Sequence, residues 1–166
     1  IRYGEGNWDN LEATFLLQEE IFPTCSARDF AGRKPLKEPL DLLNETLLHL
    51  EGRYDSQTRW LPWFREHGLE MEVLAPGISV NTYTNLVQAT LDGQGISLIG
   101  PPLTQRYLDD GTLVRPIEVP SLKRRAFYLA LPKGQPVSAS AQSFCNWIIH
   151  DSQAFANLGY AGKRGT

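Results

Sequence analysis

The sequence predicts an α/β domain with largely parallel strand pairing, and three observations carry that prediction. Apolar runs of strand length alternate with stretches whose apolar residues recur at helical intervals. Gly and Pro mark the boundaries between them. The third observation is bulk: 166 residues with 42% apolar content suffice for one packed domain of ordinary size.

Ile1-Arg2-Tyr3-Gly4 reads as the exit of a strand and, because position 1 is Ile rather than Met, the chain reads as a fragment. Phe15, Leu16, Leu17, Ile21 and Phe22 flank Gln18-Glu19-Glu20 and suit short extended runs entering a core, closed at Pro23. Pro35, Pro39 and Asp41-Leu42-Leu43-Asn44-Glu45 suggest a loop and a brief helix, and 46–50 a buried strand. Trp60, Trp63 and Phe64 fall at helical spacing within 57–67, where Pro62 is tolerable only near a helix start and Gly68 supplies a stop. Residues 78–81 read as a strand. Tyr83, Leu86, Val87 and Leu91 then recur helically until Gly93-Gln94-Gly95, after which 96–99 begins another strand. A short helix over 105–110, extended residues at Leu113-Val114 and Ile117, and a strong strand over 126–131 follow. Residues 138–151 place Phe144, Trp147 and Ile148 on one side of a helix, before a polar tail over 156–166.

Sixteen basic residues against 19 acidic ones give a net charge of −3, which argues against a nucleic-acid grip by this chain alone. The longest basic run, Lys123-Arg124-Arg125, reads as a solvated loop rather than a phosphate contact. No stretch approaches the ~18 apolar residues of a membrane span, and no export signal is legible, so a soluble cytoplasmic protein is expected. Cys25 and Cys145 read as free, buried thiols.

Catalytic and metal chemistry find little support. His49, His67 and His150 match no zinc spacing with the cysteines, so neither a metal nor a cofactor is expected. Gly93-Gln94-Gly95 lacks the remaining glycines and the Lys of a phosphate loop. There is no Gly-x-Ser-x-Gly elbow, and strand alternation points the Glu19 and Glu20 carboxylates apart. The Trp60, Trp63, Phe64 cluster reads as core rather than as an aromatic ligand box. An enzyme is therefore not expected.

The most informative local segment is Asn81-Thr82-Tyr83-Thr84-Asn85 at a strand-to-helix junction, because a helix's first turn offers N–H groups and a partial positive charge to an anion. Thr82 or Thr84 would turn its hydroxyl to a ligand carboxylate, or serve as a helix cap that needs no ligand.

Ile1-Arg2-Tyr3-Gly4-Glu5-Gly6-Asn7-Trp8, Phe22-Pro23-Thr24-Cys25-Ser26, Leu47-Leu48-His49-Leu50, Val87-Gln88-Ala89-Thr90-Leu91-Asp92-Gly93-Gln94-Gly95-Ile96 and Phe127-Tyr128-Leu129, in that order, resemble the effector domains of LysR-type transcriptional regulators. The opening residues and Trp8 resemble the branch of the glycine-cleavage activator and the β-lactamase regulators. The resemblance covers about 1–149 and implies a periplasmic-binding-protein-like α/β fold, with two Rossmann-like subdomains joined by two crossing strands around an effector cleft. By this resemblance 1–14 ends the first subdomain, 15–124 is a complete second one, 125–155 is the return strand and last helix of the partial first, and 156–166 is a tail. A winged helix-turn-helix upstream would hold the DNA, and a small, anionic metabolite would bind in the cleft.

The same resemblance places Asn81 to Asn85 on the cleft and adds Tyr3, at the matching position of pocket-lining residues. Tyr3 and Arg2 alternate to opposite faces, and Tyr3 is taken to face the ligand; a packed Tyr beside a solvated Arg is the other reading. Gly100-Pro101 forms a turn that could also shape the cleft floor. The competing function is a solute-binding protein of a transport system, which shares the architecture.

With much of one subdomain absent, Phe144, Trp147 and Ile148 would each forgo about 1.5–3 kcal/mol of burial. Self-association to a homo-oligomer through this helix, or a mobile C-terminal segment, is expected, together with weak effector binding.

Overall fold

The computed structural model describes residues 1–51, 56–74 and 76–157, so the tail expected over 156–166 lies outside them from residue 158 onward. In chain order the elements are β1 (Arg2–Gly4), β2 (Leu11–Ser26), α1 (Ala27–Phe30), a 3-10 turn (Pro39–Asn44), β3 (Leu48–Leu50), α2 (Ser56–Glu66) and β4 (Ile78–Val80). They continue with α3 (Tyr83–Leu91), β5 (Ser97–Ile99), α4 (Gln105–Asp109), β6 (Leu113–Val114), β7 (Leu122–Pro132) and α5 (Ala139–Asn157). The chain forms two compact units. Unit 1 comprises Ile1–Glu19 and Lys123–Thr166, and unit 2 is Glu20–Leu122. The chain passes from one to the other inside β2 and returns inside β7.

In unit 2, β3 and β4 pair in parallel with Leu48 opposite Ile78, and parallel bridges join Leu47 to Ile96 and Leu36 to Ile117. The second half of β2 instead runs antiparallel to β5, with Phe22 opposite Ile99, and to β6, with Cys25 opposite Val114. Largely parallel pairing was expected, and antiparallel pairing is prominent. Crossover helices make consecutive strands parallel, but β2 enters this unit without a crossover and so runs against its neighbours.

The unit is held by two apolar clusters. In the first, Trp60, Trp63 and Phe64 from α2 pack with Ile21, Leu42, Leu47, Ile96, Leu98 and Ile117. Trp60 and Trp63 meet edge to face at 5.8 Å, and the Trp60 indole N–H donates to the Leu48 carbonyl at 3.0 Å, pinning α2 to β3. These aromatics are core, as the spacing predicted. Pro62 sits inside the helix rather than in its first turn. The burial of three aromatics, about 1.5–3 kcal/mol each, outweighs a Pro cost of about 3 kcal/mol. The second cluster lies under α3 and joins Leu86 and Ala89 to Leu48, Leu50, Ile99 and Leu113. The helix ends where expected, with Gly93 at φ +76° and the Gln94 N–H donating to Ala89 at 3.0 Å. Before β4, Gly77 admits no side chain, since a Cβ would lie 2.1 Å from the Leu47 carbonyl oxygen.

In unit 1, β1 is antiparallel to β7, with Tyr3 opposite Phe127, and β7 lies between β1 and β2. Lys123, Arg124 and Arg125 belong to β7 and not to a loop; Lys123 and Arg125 are exposed. They lie at the start of a strand that runs between β1 and β2, where the polar composition suggested a break. Strand alternation divides β1 as predicted. Tyr3 packs on Phe127 at 5.1 Å, whereas the Arg2 guanidinium lies over Trp8 at 5.1 Å. Trp8 and Phe15 both meet Tyr128 edge-on, and Gly6, at φ +84°, has no room for a Cβ beside that tyrosine.

Against the sheet, α5 contributes Cys145, Ile148 and Ile149 to a small cluster with Leu16 and Leu129. Phe144 and Trp147 remain 51% and 57% exposed. Phe144, Trp147 and Ile148 therefore do not share a side. The buried stripe runs through 145, 148, 149 and 152, and Ile148 turns inward with it.

Candidate functional site

The junction from β4 to α3 begins with Asn81 and caps at Thr82, whose extended backbone (φ −135°, ψ 151°) lets its Oγ1 accept the Asn85 N–H at 3.1 Å. The Asn85 amide donates to Asn81 Oδ1 at 3.4 Å, closing the same turn with side chains. Thr82, Thr84 and Asn85 are exposed and Tyr83 is half-buried. Thr82 is thus a cap in fact, with one first-turn N–H satisfied, while the Thr84 hydroxyl stands at the exposed start of the helix.

A buried cation stands behind this turn. Arg59, 6% exposed, donates from Nη1 to the Leu98 carbonyl at 3.3 Å, and its guanidinium lies 6.0 Å from the Tyr83 ring centre. It ties the start of α3 to β5. Nothing in the sequence analysis singled out Arg59. The available signal was helical spacing, since it precedes Trp63 by four residues and so shares that buried face.

Gly100 and Pro101 follow β5 and are buried. A Cβ on Gly100 would sit 2.5 Å from the Glu20 carbonyl oxygen, and the Glu20 N–H donates to the Pro101 carbonyl at 3.1 Å. The turn presses backbone against backbone. Glu20 also accepts the Ser121 hydroxyl at 2.7 Å. In unit 2, therefore, the structure gathers Thr82, Tyr83, Thr84 and Asn85 at one helix end and sets Gly100-Pro101 against β2.

Tyr3 is half-buried in unit 1, and its hydroxyl donates to the carboxylate of Glu19, which is 3% exposed. Glu19 and Glu20 meet different partners, as alternation predicted. What sequence reasoning missed is that Glu19 is buried and bonded to a predicted site residue.

Two further groups have displaced titrations. Burial pushes the Cys25 thiol up to about 12, with Asp29 and Glu45 adding to the rise and Arg33 opposing it. Burial also lowers the His49 pKa, against a smaller opposite effect of Glu51. Among the described residues no cluster of His, Cys, Asp and Glu could hold a metal ion, and no helix is long and apolar enough to cross a membrane.

A family model described as the LysR substrate binding domain matches residues 1–153. The glycine cleavage system transcriptional activator of Escherichia coli K12 is 33% identical over 154 residues, covering 93% of this chain and 49% of that protein. The HTH-type transcriptional regulator BlaA of Proteus vulgaris is 28% identical over 152 residues, covering 92% and 49%. The chain spans about half the length of the curated relatives it matches. Among solved structures, the effector domain of the regulator AmpR of Pseudomonas aeruginosa superposes with a TM-score of 0.74 at 23% identity, covering 94% of this chain and 72% of that one. The AmpR effector binding domain from Citrobacter freundii gives 0.75 at 18%, covering 92% and 73%. These last two matches speak for the shared fold.

Proposed function

Since the chain belongs to the LysR substrate-binding domain family, we propose that it is the sensing part of a transcriptional regulator and that a small, anionic metabolite is its effector. The observation that carries the choice of an anion is the start of α3. Thr82 caps it, Thr84 is exposed there, and the helix dipole adds about 0.3–1 kcal/mol for an exposed negative group and up to about 2 when partly buried. Tyr83, Asn85 and Gly100-Pro101 in unit 2, and Tyr3 in unit 1, are the further residues proposed to meet the effector. Effector binding would bias promoter binding elsewhere in the regulator, which is linkage between two sites.

DNA contact is assigned to sequence outside this chain, in keeping with its net charge of −3. Self-association through α5 belongs to the same proposal, and Phe144 and Trp147 support it by their exposure. A cytoplasmic site of action follows from the regulator role. The named relatives are transcriptional regulators, and no observation favours a transport protein or an enzyme.

A thermal-melt screen of amino acids, organic acids, purines and cell-wall fragments tests the reading. An effector at 100 times its dissociation constant adds about 2.7 kcal/mol of stability. The expected result is a selective shift, without turnover, that shrinks in Thr84→Ala. A shift that survives both Thr84→Ala and Tyr3→Phe unchanged would remove these residues from the site.

A further inference from the structure

The exposed side of α5 in unit 1 holds more pattern than its two aromatics. Ser140, Phe144, Trp147, Asp151 and Ala154 are all exposed and follow one another at spacings of four, three, four and three residues. That is the spacing of a seam between two helices. Phe144 and Trp147, 51% and 57% exposed, stand together in its middle with ring centres 5.7 Å apart. The stripe runs beside the buried one through Cys145, Ile148, Ile149 and Ser152, so packing α5 on its own sheet leaves it facing outward.

The charges of α5 select what fits there. The helix has no acidic residue in its first turn and no basic residue in its last, and its one carboxylate, Asp151, lies on the seam. Ser138 accepts the Ala141 N–H at 3.3 Å, which leaves the earlier N–H groups of the first turn to an outside acceptor. A second α5 laid parallel in register would set Asp151 beside Asp151 across an interhelical distance of about 8–10 Å, a repulsive pair. Laid antiparallel about a two-fold axis between residues 145 and 146, it sets Phe144 against Trp147 and brings Asp151 to Ser140, in the first turn of the other copy. There the N–H groups and the helix dipole favour a carboxylate, and the two aspartates stand about 16 Å apart. The two-fold axis makes each of these contacts twice.

We infer that the occupant of the α5 seam is α5 of a second copy in antiparallel order, with Asp151 of each copy set on the helix start of the other. The inference rests on the proposed self-association through α5 and fixes its geometry.

Two measurements on the full chain test it. Ser140→Cys and Asp151→Cys chains, mixed and treated with a short bifunctional thiol reagent, should link to each other far faster than either links to itself; Cys25 and Cys145 are buried and do not compete. In sedimentation at rising concentration, Asp151→Asn should weaken the dimer about three- to thirtyfold, counting both symmetric contacts, and Asp151→Lys should weaken it further. Should a cysteine variant fail to fold, the Asp151→Asn sedimentation decides alone.

Self-linking of Asp151→Cys, or a dimer that tightens in Asp151→Asn, overturns the antiparallel arrangement and leaves self-association through α5 standing. A chain that stays monomeric at every concentration, or a dimer indifferent to Trp147→Ala, removes the self-association reading and the inference with it.

Discussion

Unit 2 and unit 1 meet the same requirement, burying apolar side chains, with different success. In unit 2, α2 and α3 each cover a face of short strands, and Trp60, Trp63 and Phe64 are essentially closed to solvent. In unit 1 the small cluster of Leu16, Leu129 and Cys145 lies under α5, while Phe15, Phe144 and Trp147 are each more than half exposed. One tryptophan in each setting makes the contrast concrete: Trp63 is 0% exposed and Trp147 is 57%. Similar residue types at similar helical spacing thus end in opposite environments. Periodicity identifies an apolar stripe but not what covers it.

The sharpest way to break this comparison is to truncate both tryptophans. Trp63→Ala should cost about 3–5 kcal/mol in urea unfolding followed by intrinsic fluorescence. Trp147→Ala should stay within about 0.5 kcal/mol and, in sedimentation at rising concentration, reduce self-association. Equal costs would mean that the two environments do not differ as described.

Next in size is Gly77→Ala, since the new methyl would meet the Leu47 carbonyl oxygen at 2.1 Å. A loss of about 1–3 kcal/mol is expected, with faster amide exchange in β3 and β4 and no change in β1. Thr82→Ala removes the α3 cap and should cost about 1 kcal/mol by urea unfolding; a neutral result would mean that the cap contributes nothing. The smallest effect concerns His49. Its folded pKa is lowered by burial, so as pH falls below the unfolded value of 6.5 the unfolded chain takes up a proton that the folded chain resists. Stability should fall from pH 6.5 down to the folded pKa and then level off, and His49→Gln should flatten that slope in melts across the range.

Much of unit 2 was legible because its elements are short and bounded by clear signals. A threonine cap at the start of α3, the Gly93 stop and the aromatic stripe of α2 follow from local chemistry alone, though the choice of Thr82 over Thr84 does not. The long strand β2 was not legible as one element. Residues 11–14 alternate between half-buried and exposed, Phe15 breaks the pattern, and residues 21–26 are all buried, so no single period runs through it. Lys123 to Arg125 looked like a loop because membership of a sheet is non-local, and these residues begin β7, which lies between β1 and β2. The fold of the candidate site was readable at α3 for the same local reasons. Arg59 and Glu19 were missed because burial of a charge depends on partners distant in sequence, Leu98 in one case and Tyr3 in the other.

The two thiols lend themselves to a different use. Cys25 lies in unit 2 and Cys145 in unit 1, both buried and both unpaired. With the Cys25 pKa near 12 and its side chain shut away, an alkylating reagent has almost no thiolate to attack until the surrounding structure opens. Each cysteine is therefore a built-in clock for its own half of the molecule. The mass-resolved labelling rates of the two sites time how often each half opens, with no dye, tag or substitution.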